Sequence, residues 1–159
     1  MTETLVIDAS IAIKWVVEEE GSALATTLRR NRSFAAPELL VAECANILWK
    51  KVQRNELTPD EATMAAQLLQ QSNIELFAMQ PLLAKATELA IDLGHPAYDC
   101  MYICLAARRG LRFVTADERL IRILNEKAPA DILNLCVSLE GTSLWNSPSR
   151  VGIPPTGIQ

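Results

Sequence analysis

Short apolar runs alternate along this chain with longer stretches in which apolar residues recur at helical spacing. Residues 4 to 8, TLVID, form a buried-strand pattern ending in an acid, and Ser10 can cap a helix over IAIKWVVEE. A second helix is predicted over about 22 to 31, then a short buried strand over SFAAP, then a long helix from about 38 to 54 opened by Pro37. Thr58 and Pro59 suit the cap and first residue of a helix running to about 72, and NIELFAM reads as a strand. Helical spacing resumes at Pro81 and stops at Gly94, where a left-handed glycine followed by Pro96 ends the helix. The next helix covers about 98 to 109 and stops at Gly110. LRFVT then reads as a buried strand leading to Asp117, the cap of a helix over ERLIRILNE, and ILNLCV at 132 to 137 reads as the last strand.

Strands alternating with helices predict an α/β fold, a mostly parallel central sheet with helices on both faces. From Ser143 the composition turns to Ser, Pro, Gly and Asn, which divides the chain into a body, 1–142, and a poorly ordered tail, 143–159, unless Trp145 pins it. A chain of 159 residues with half of them hydrophobic has enough apolar surface for one packed core. Charge interrupts every apolar run before the roughly 20 residues of a membrane span, and the N-terminus lacks the pattern of a secretory signal, so a cytoplasmic protein is expected. Cys44, Cys100, Cys104 and Cys136 lie among aliphatic neighbours and read as reduced core thiols. One histidine, His95, and no CxxC pair leave too few ligands for zinc. Fifteen basic against nineteen acidic side chains give a net charge of -4, so a nucleic-acid role requires metal ions or local basic patches.

The acids carry the candidate chemistry. Asp8 and Asp117 stand at the C-terminal ends of predicted strands, and in a parallel sheet those ends share one edge, where open α/β sheets bind ligands. Glu43 lies on the long helix with Asn46 and Lys50 continuing its stripe, and Asp99 begins a helix among apolar neighbours. Each has a plainer reading: Asp117 as an N-cap, Asp99 as a first-turn acid, Glu43 as a solvated residue, Asp8 as a turn acid. Ser10 likewise reads as a cap and Thr115 as a strand residue. Four carboxylates at one edge, however, repel one another unless a cation neutralises them, and hard oxygen ligands suit Mg²⁺ or Mn²⁺.

VIDASIAIKW, APELLVAECANILWKKV, GHPAYDCMYICLAARRG and FVTADERL, in that order, resemble the PIN-domain ribonuclease toxins of the VapC family over about residues 4 to 137. The resemblance implies a PIN-like three-layer fold. It places the family's metal-binding, catalytic acids on Asp8, Glu43, Asp99 and Asp117, and its supporting hydroxyls on Ser10 and Thr115. It further implies Mg²⁺, with Mn²⁺ as substitute, and hydrolysis of RNA by metal-activated water. The expected partners are the RNA substrate, a second copy of the chain in a homodimer, and a VapB-type antitoxin; no membrane is involved.

RNA contact is expected from Lys50, Lys51 and Arg54, from Arg108, Arg109 and Arg112, and from the cluster Arg29, Arg30 and Arg32, each of which also reads as a solvated face. Tyr98 and Tyr102 can stack on bases or pack in the core, while Trp15 and Trp49 suit core or dimer packing and His95 a structural place in its turn. Two other readings compete: a PIN-like RNA-binding or interaction protein without catalysis, and a phosphatase of the haloacid dehalogenase class. The latter needs D-x-D near the start, where this chain has Ser10 as the third residue of the motif.

Overall fold

In the computed structural model residues 2–146 are described, so residues 147–159 of the expected tail lie outside the description. The chain winds β1 (Glu3–Ile7), α1 (Ala9–Lys14), α2 (Ser22–Leu28), β2 (Arg32–Pro37), α3 (Leu39–Gln53), α4 (Pro59–Gln70) and β3 (Ile74–Phe77). A 3-10 turn (Gln80–Leu82) then leads to α5 (Leu83–Leu93), α6 (Ala97–Arg109), β4 (Arg112–Thr115), α7 (Glu118–Lys127), α8 (Ala130–Leu133), β5 (Cys136–Ser138) and a 3-10 helix over Glu140–Asn146.

All five strands join one sheet in the order β3-β2-β1-β4-β5, and every pairing is parallel. Leu5, Val6 and Ile7 in β1 and Phe113 and Val114 in β4 have no exposed surface, as strands covered on both faces require. Helix α1 touches α2 and α3, and α3 touches α4, while α5 touches α6 and α7. Right-handed crossovers produce this division when the chain winds outward from β1 to β3 and then returns to β4 and β5. The winding reverses between β1 and β4, so a crevice opens above their carboxyl ends.

Thr58 and Glu61 form the reciprocal capping box of α4, and Gly94 and Gly110 end their helices with φ of 60° and 66°. Four sequence expectations need correction. The first helix ends at Lys14, because Ser22 staples the following turn by accepting from Glu19 N and donating to Val17 O, while Glu19 folds back onto Lys14 and Lys51. The second ends at Leu28, since Asn31 enters the left-handed region (φ 54°) to turn into β2. Pro37 closes β2 instead of opening α3; Glu38 N supplies the bond to Phe77 O, and the helix starts at Leu39. Residues 130 to 133 are helical, because Leu133 N and Asn134 N bond back to Pro129 O and Ala130 O, and the last strand is Cys136–Ser138.

Trp145 lies 3.9 Å from the Arg112 guanidinium and 5.2 Å from that of Arg32, so the first residues of the expected tail pack on the body. All four cysteines are free, and burial pushes Cys44, Cys100 and Cys136 up to about 12, which keeps them protonated core thiols. Among the described residues no helix is long and apolar enough to cross a membrane.

Candidate active site

Asp8 follows the last residue of β1 and sits in the crevice with only 6% of its surface exposed. Its Oδ1 accepts from Ser10 Oγ and its Oδ2 from Thr115 Oγ1, both at 2.5 Å. The hydroxyls are themselves fixed: Ser10 Oγ accepts from Ala116 N (2.9 Å) and Thr115 Oγ1 from Asp117 N (3.0 Å). Ser10 therefore does not cap α1. The N-cap position belongs to Asp8, whose side chain makes no cap bond because the two hydroxyls hold it. Burial raises the Asp8 pKa to about 7; the hydroxyl hydrogen bonds pull the other way, and the charges of Asp99 and Asp117 add to the rise.

Glu43 reaches the crevice from α3 and accepts from Tyr102 Oη on α6 at 2.7 Å, a bond joining helices of the two layers over the strand ends. Burial, and then the charge of Asp99, raise its pKa against the opposing hydrogen bond. Asp99 stands in the first turn of α6, with His95 Nε2 2.6 Å from its Oδ2. Asp117 caps α7 through Oδ1, which accepts from Arg119 N (3.0 Å) and Leu120 N (3.1 Å). Both bonds use one oxygen, so the cap and a role in the crevice are compatible. All four acids belong to one electrostatic neighbourhood: Asp8 feels Asp99 and Asp117, and Glu43 feels Asp99. Among the described residues, no three His, Cys, Asp or Glu side chains converge into a finished metal cage. Instead each acid is turned toward a protein donor.

With this geometry in place, the sequence matches the PIN domain family over residues 5–125. Ribonuclease VapC3 of Pyrobaculum aerophilum is 33% identical over 129 residues, 79% of this chain and 95% of that protein. This chain belongs to the PIN-domain family, on its VapC branch. The crystal structure of PAE2754 from Pyrobaculum aerophilum shares the PIN fold, with a TM-score of 0.65 at 22% identity over 91% of this chain and 88% of that one.

The expected RNA contacts of this PIN domain separate on inspection. Arg112 opens β4 at the sheet edge opposite Thr115, bonded to Glu3 and lying over Trp145. Arg108 donates to Pro81 O and Arg109 lies 4.0 Å over the Phe77 ring, at the far end of α6 from Asp99. Lys51 is bonded to Glu19 and Glu56, whereas Lys50 is exposed one stripe along α3 from Glu43. Arg29 lies over the Trp15 ring, and Arg32 bonds Glu3. Trp15 itself is anchored, donating to Ala25 O and meeting Phe34 edge-on, while Trp49 is 57% exposed and outside the core. Tyr98 is exposed beside Asp99 and free to stack on a base.

Tyr102 has no exposed surface and cannot meet a base. It stacks on Phe113 and directs its hydroxyl to Glu43, a partnership its sequence neighbourhood did not reveal. The available signal was its place three residues after Asp99, on the same helical face. Tyr102→Phe is expected to keep the ring packing, cost about 1–2 kcal/mol for the lost bond to a carboxylate, and weaken Mg²⁺ binding roughly tenfold. Denaturant midpoints and Mg²⁺ titrations measure the two effects, and an unchanged Mg²⁺ affinity would confine Tyr102 to packing.

Proposed function

We propose that this PIN domain is a divalent-metal-dependent endoribonuclease, the toxin of a toxin–antitoxin pair, with Asp8, Glu43, Asp99 and Asp117 as its catalytic and metal-binding acids. The observation that carries the reading is Asp8: a carboxylate raised by its burial, and further by the charges of Asp99 and Asp117, at the edge where α/β sheets bind ligands. The donor set is all carboxylate oxygen, which fits Mg²⁺ or Mn²⁺. A divalent ion held there supplies activation of water and neutralisation of charge on the phosphodiester.

The chain's own residues prepare the site. Ser10 and Thr115 hold the Asp8 carboxylate in one orientation, and Tyr102 does the same for Glu43. His95 fixes one oxygen of Asp99, and the cap bonds fix one oxygen of Asp117. Each acid is thus preorganised by a neighbour that is not itself an acid. Ser10, standing where a phosphatase of the rival class needs a second acid, donates to the first one instead. No nucleophilic side chain is required, and RNA is cut without a covalent intermediate.

The named relative, a ribonuclease, supports RNA as substrate, and the VapC branch supports a VapB-type antitoxin; a homodimer in the cytoplasm belongs to the same proposal. Val41 and Trp49 on α3 and Met64 and Leu68 on α4 leave apolar surface for such protein contacts.

Incubating pure protein with single-stranded RNA in Mg²⁺, in Mn²⁺ and in chelator tests the reading. Cleavage is expected with either ion, to vanish in chelator, and to return on adding Mg²⁺. Cleavage that persists in chelator contradicts it.

A further inference from the structure

A polyanion drawn to four acids must be held by cations beside them, and many of this chain's cations are engaged elsewhere. Arg32 and Arg112 are bonded to Glu3, Lys51 to Glu19 and Glu56, and Lys85 to Glu88. Arg29 and Arg109 lie over aromatic rings, and Arg108 donates to a carbonyl. An open cleft of about 720 Å³ includes Thr115 and Asp117 of the site and extends along α7, where Arg119 and Arg122 line it.

Lys14 also lines this cleft but is bonded to Glu19 and to the Glu20 carbonyl. Arg119 and Arg122 form no ion pair among the described residues, although Glu20, Glu118 and Glu140 line the same cleft. Acids that share a cleft with two arginines yet leave them unclaimed leave their forks open to an incoming anion. At i and i+3 on one helix, the two side chains start roughly 5–6 Å apart on the same face. Guanidinium groups suit phosphate oxygens, which they can bind with two parallel bonds.

We infer that this cleft is the groove for the RNA backbone on one side of the scissile phosphate, with Arg119 and Arg122 as its phosphate-holding residues. The inference rests on the ribonuclease reading for its substrate. It moves the substrate track away from Arg108, Arg109 and Arg112, toward the β4–α7 side of the crevice. Specificity then depends on what the cleft walls admit beside Asp117, and not on the arginines at the end of α6.

The test measures binding of a labelled single-stranded RNA oligonucleotide in chelator across a range of salt, and cleavage kinetics in Mg²⁺, using the full chain. Arg119→Gln/Arg122→Gln is expected to weaken binding roughly tenfold and to reduce the slope of log K against log salt by about 1.4, the share of two phosphates on a single strand. In Mg²⁺ it should raise KM while kcat stays within about twofold. Lys85→Gln/Lys127→Gln removes the same charge outside the cleft and should change neither. Unchanged binding and slope in the first pair overturn the groove, as expected of a cleft reserved for an acidic protein segment. Equal losses in both pairs overturn it as well, by reducing the effect to net charge, and so does wild-type protein that fails to bind RNA. RNA bound with the full slope but left uncut in Mg²⁺ upholds the groove and contradicts the ribonuclease reading.

Discussion

Asp8→Asn should lower RNA cleavage by at least about 10²-fold, the scale of losing one preorganised electrostatic group from an active site. Asn preserves the shape of the side chain and can still accept one of the two hydroxyl bonds that Ser10 and Thr115 now make. What it removes is the buried negative charge. The same substitution should make the metal-free protein more stable than wild type at pH 8, because that charge is desolvated and faces Asp99 and Asp117. Loss of activity with a gain in stability separates a site residue from a structural one. Cleavage rates beside thermal melts in chelator measure both, and a fully active Asp8→Asn protein would remove Asp8 from the site.

The second large effect is a dependence of stability on pH that runs opposite to ordinary acid denaturation. Asp8 titrates at about 7 in the folded protein against 3.8 for the ordinary group, so between those values the folded state keeps a proton that the unfolded state has released. Metal-free protein should therefore lose stability as pH rises from about 4 through 7, by up to about 4 kcal/mol from Asp8, and level off above. Glu43, also raised, acts in the same direction. Glu3 and Glu19 are held below the usual range by Arg112 and Arg32 and by Lys51 and Lys14 and act oppositely, but they titrate below pH 4.5. Measurements from pH 5 to 8 thus isolate the crevice. Mg²⁺ should stabilise the protein most at pH 8, where the acids are ionised, and flatten the profile. A metal-free profile that rises from pH 5 to 8 contradicts the raised Asp8.

The strand-ending acids were readable in the sequence because a parallel sheet brings all its carboxyl ends to one edge, which joins Asp8 to Asp117 without further information. Glu43 and Asp99 were not readable that way. Their approach depends on how α3 and α6 from opposite layers lean over the edge, and only the family resemblance supplied it. Ser10 shows a second limit: a hydroxyl two residues after a strand is equally a helix cap or a support for the preceding acid, and packing against Thr115 and Ala116 decides. The place of Arg112 at the other end of β4 from the acids was also readable, since a residue that opens a four-residue strand lies roughly 10 Å from the one that closes it. The helix at 130 to 133 was hidden because Ile132, Leu133 and Leu135 suit either structure, and Pro129 with its backbone bonds to Leu133 decides between them.

The central claim is that the four acids form one cation site, and melting temperature against Mg²⁺ concentration tests it most directly. A ligand that binds only the folded state stabilises by RT ln(1 + [L]/Kd), so a weakened site gives a smaller shift at the same concentration. Wild type is compared with Asp8→Asn, Glu43→Gln, Asp99→Asn and Asp117→Asn, the last being informative because Asn caps a helix as well as Asp does. The account predicts a Mg²⁺-induced shift in wild type that each of the four substitutions reduces. Shifts equal to wild type in all four variants would contradict it.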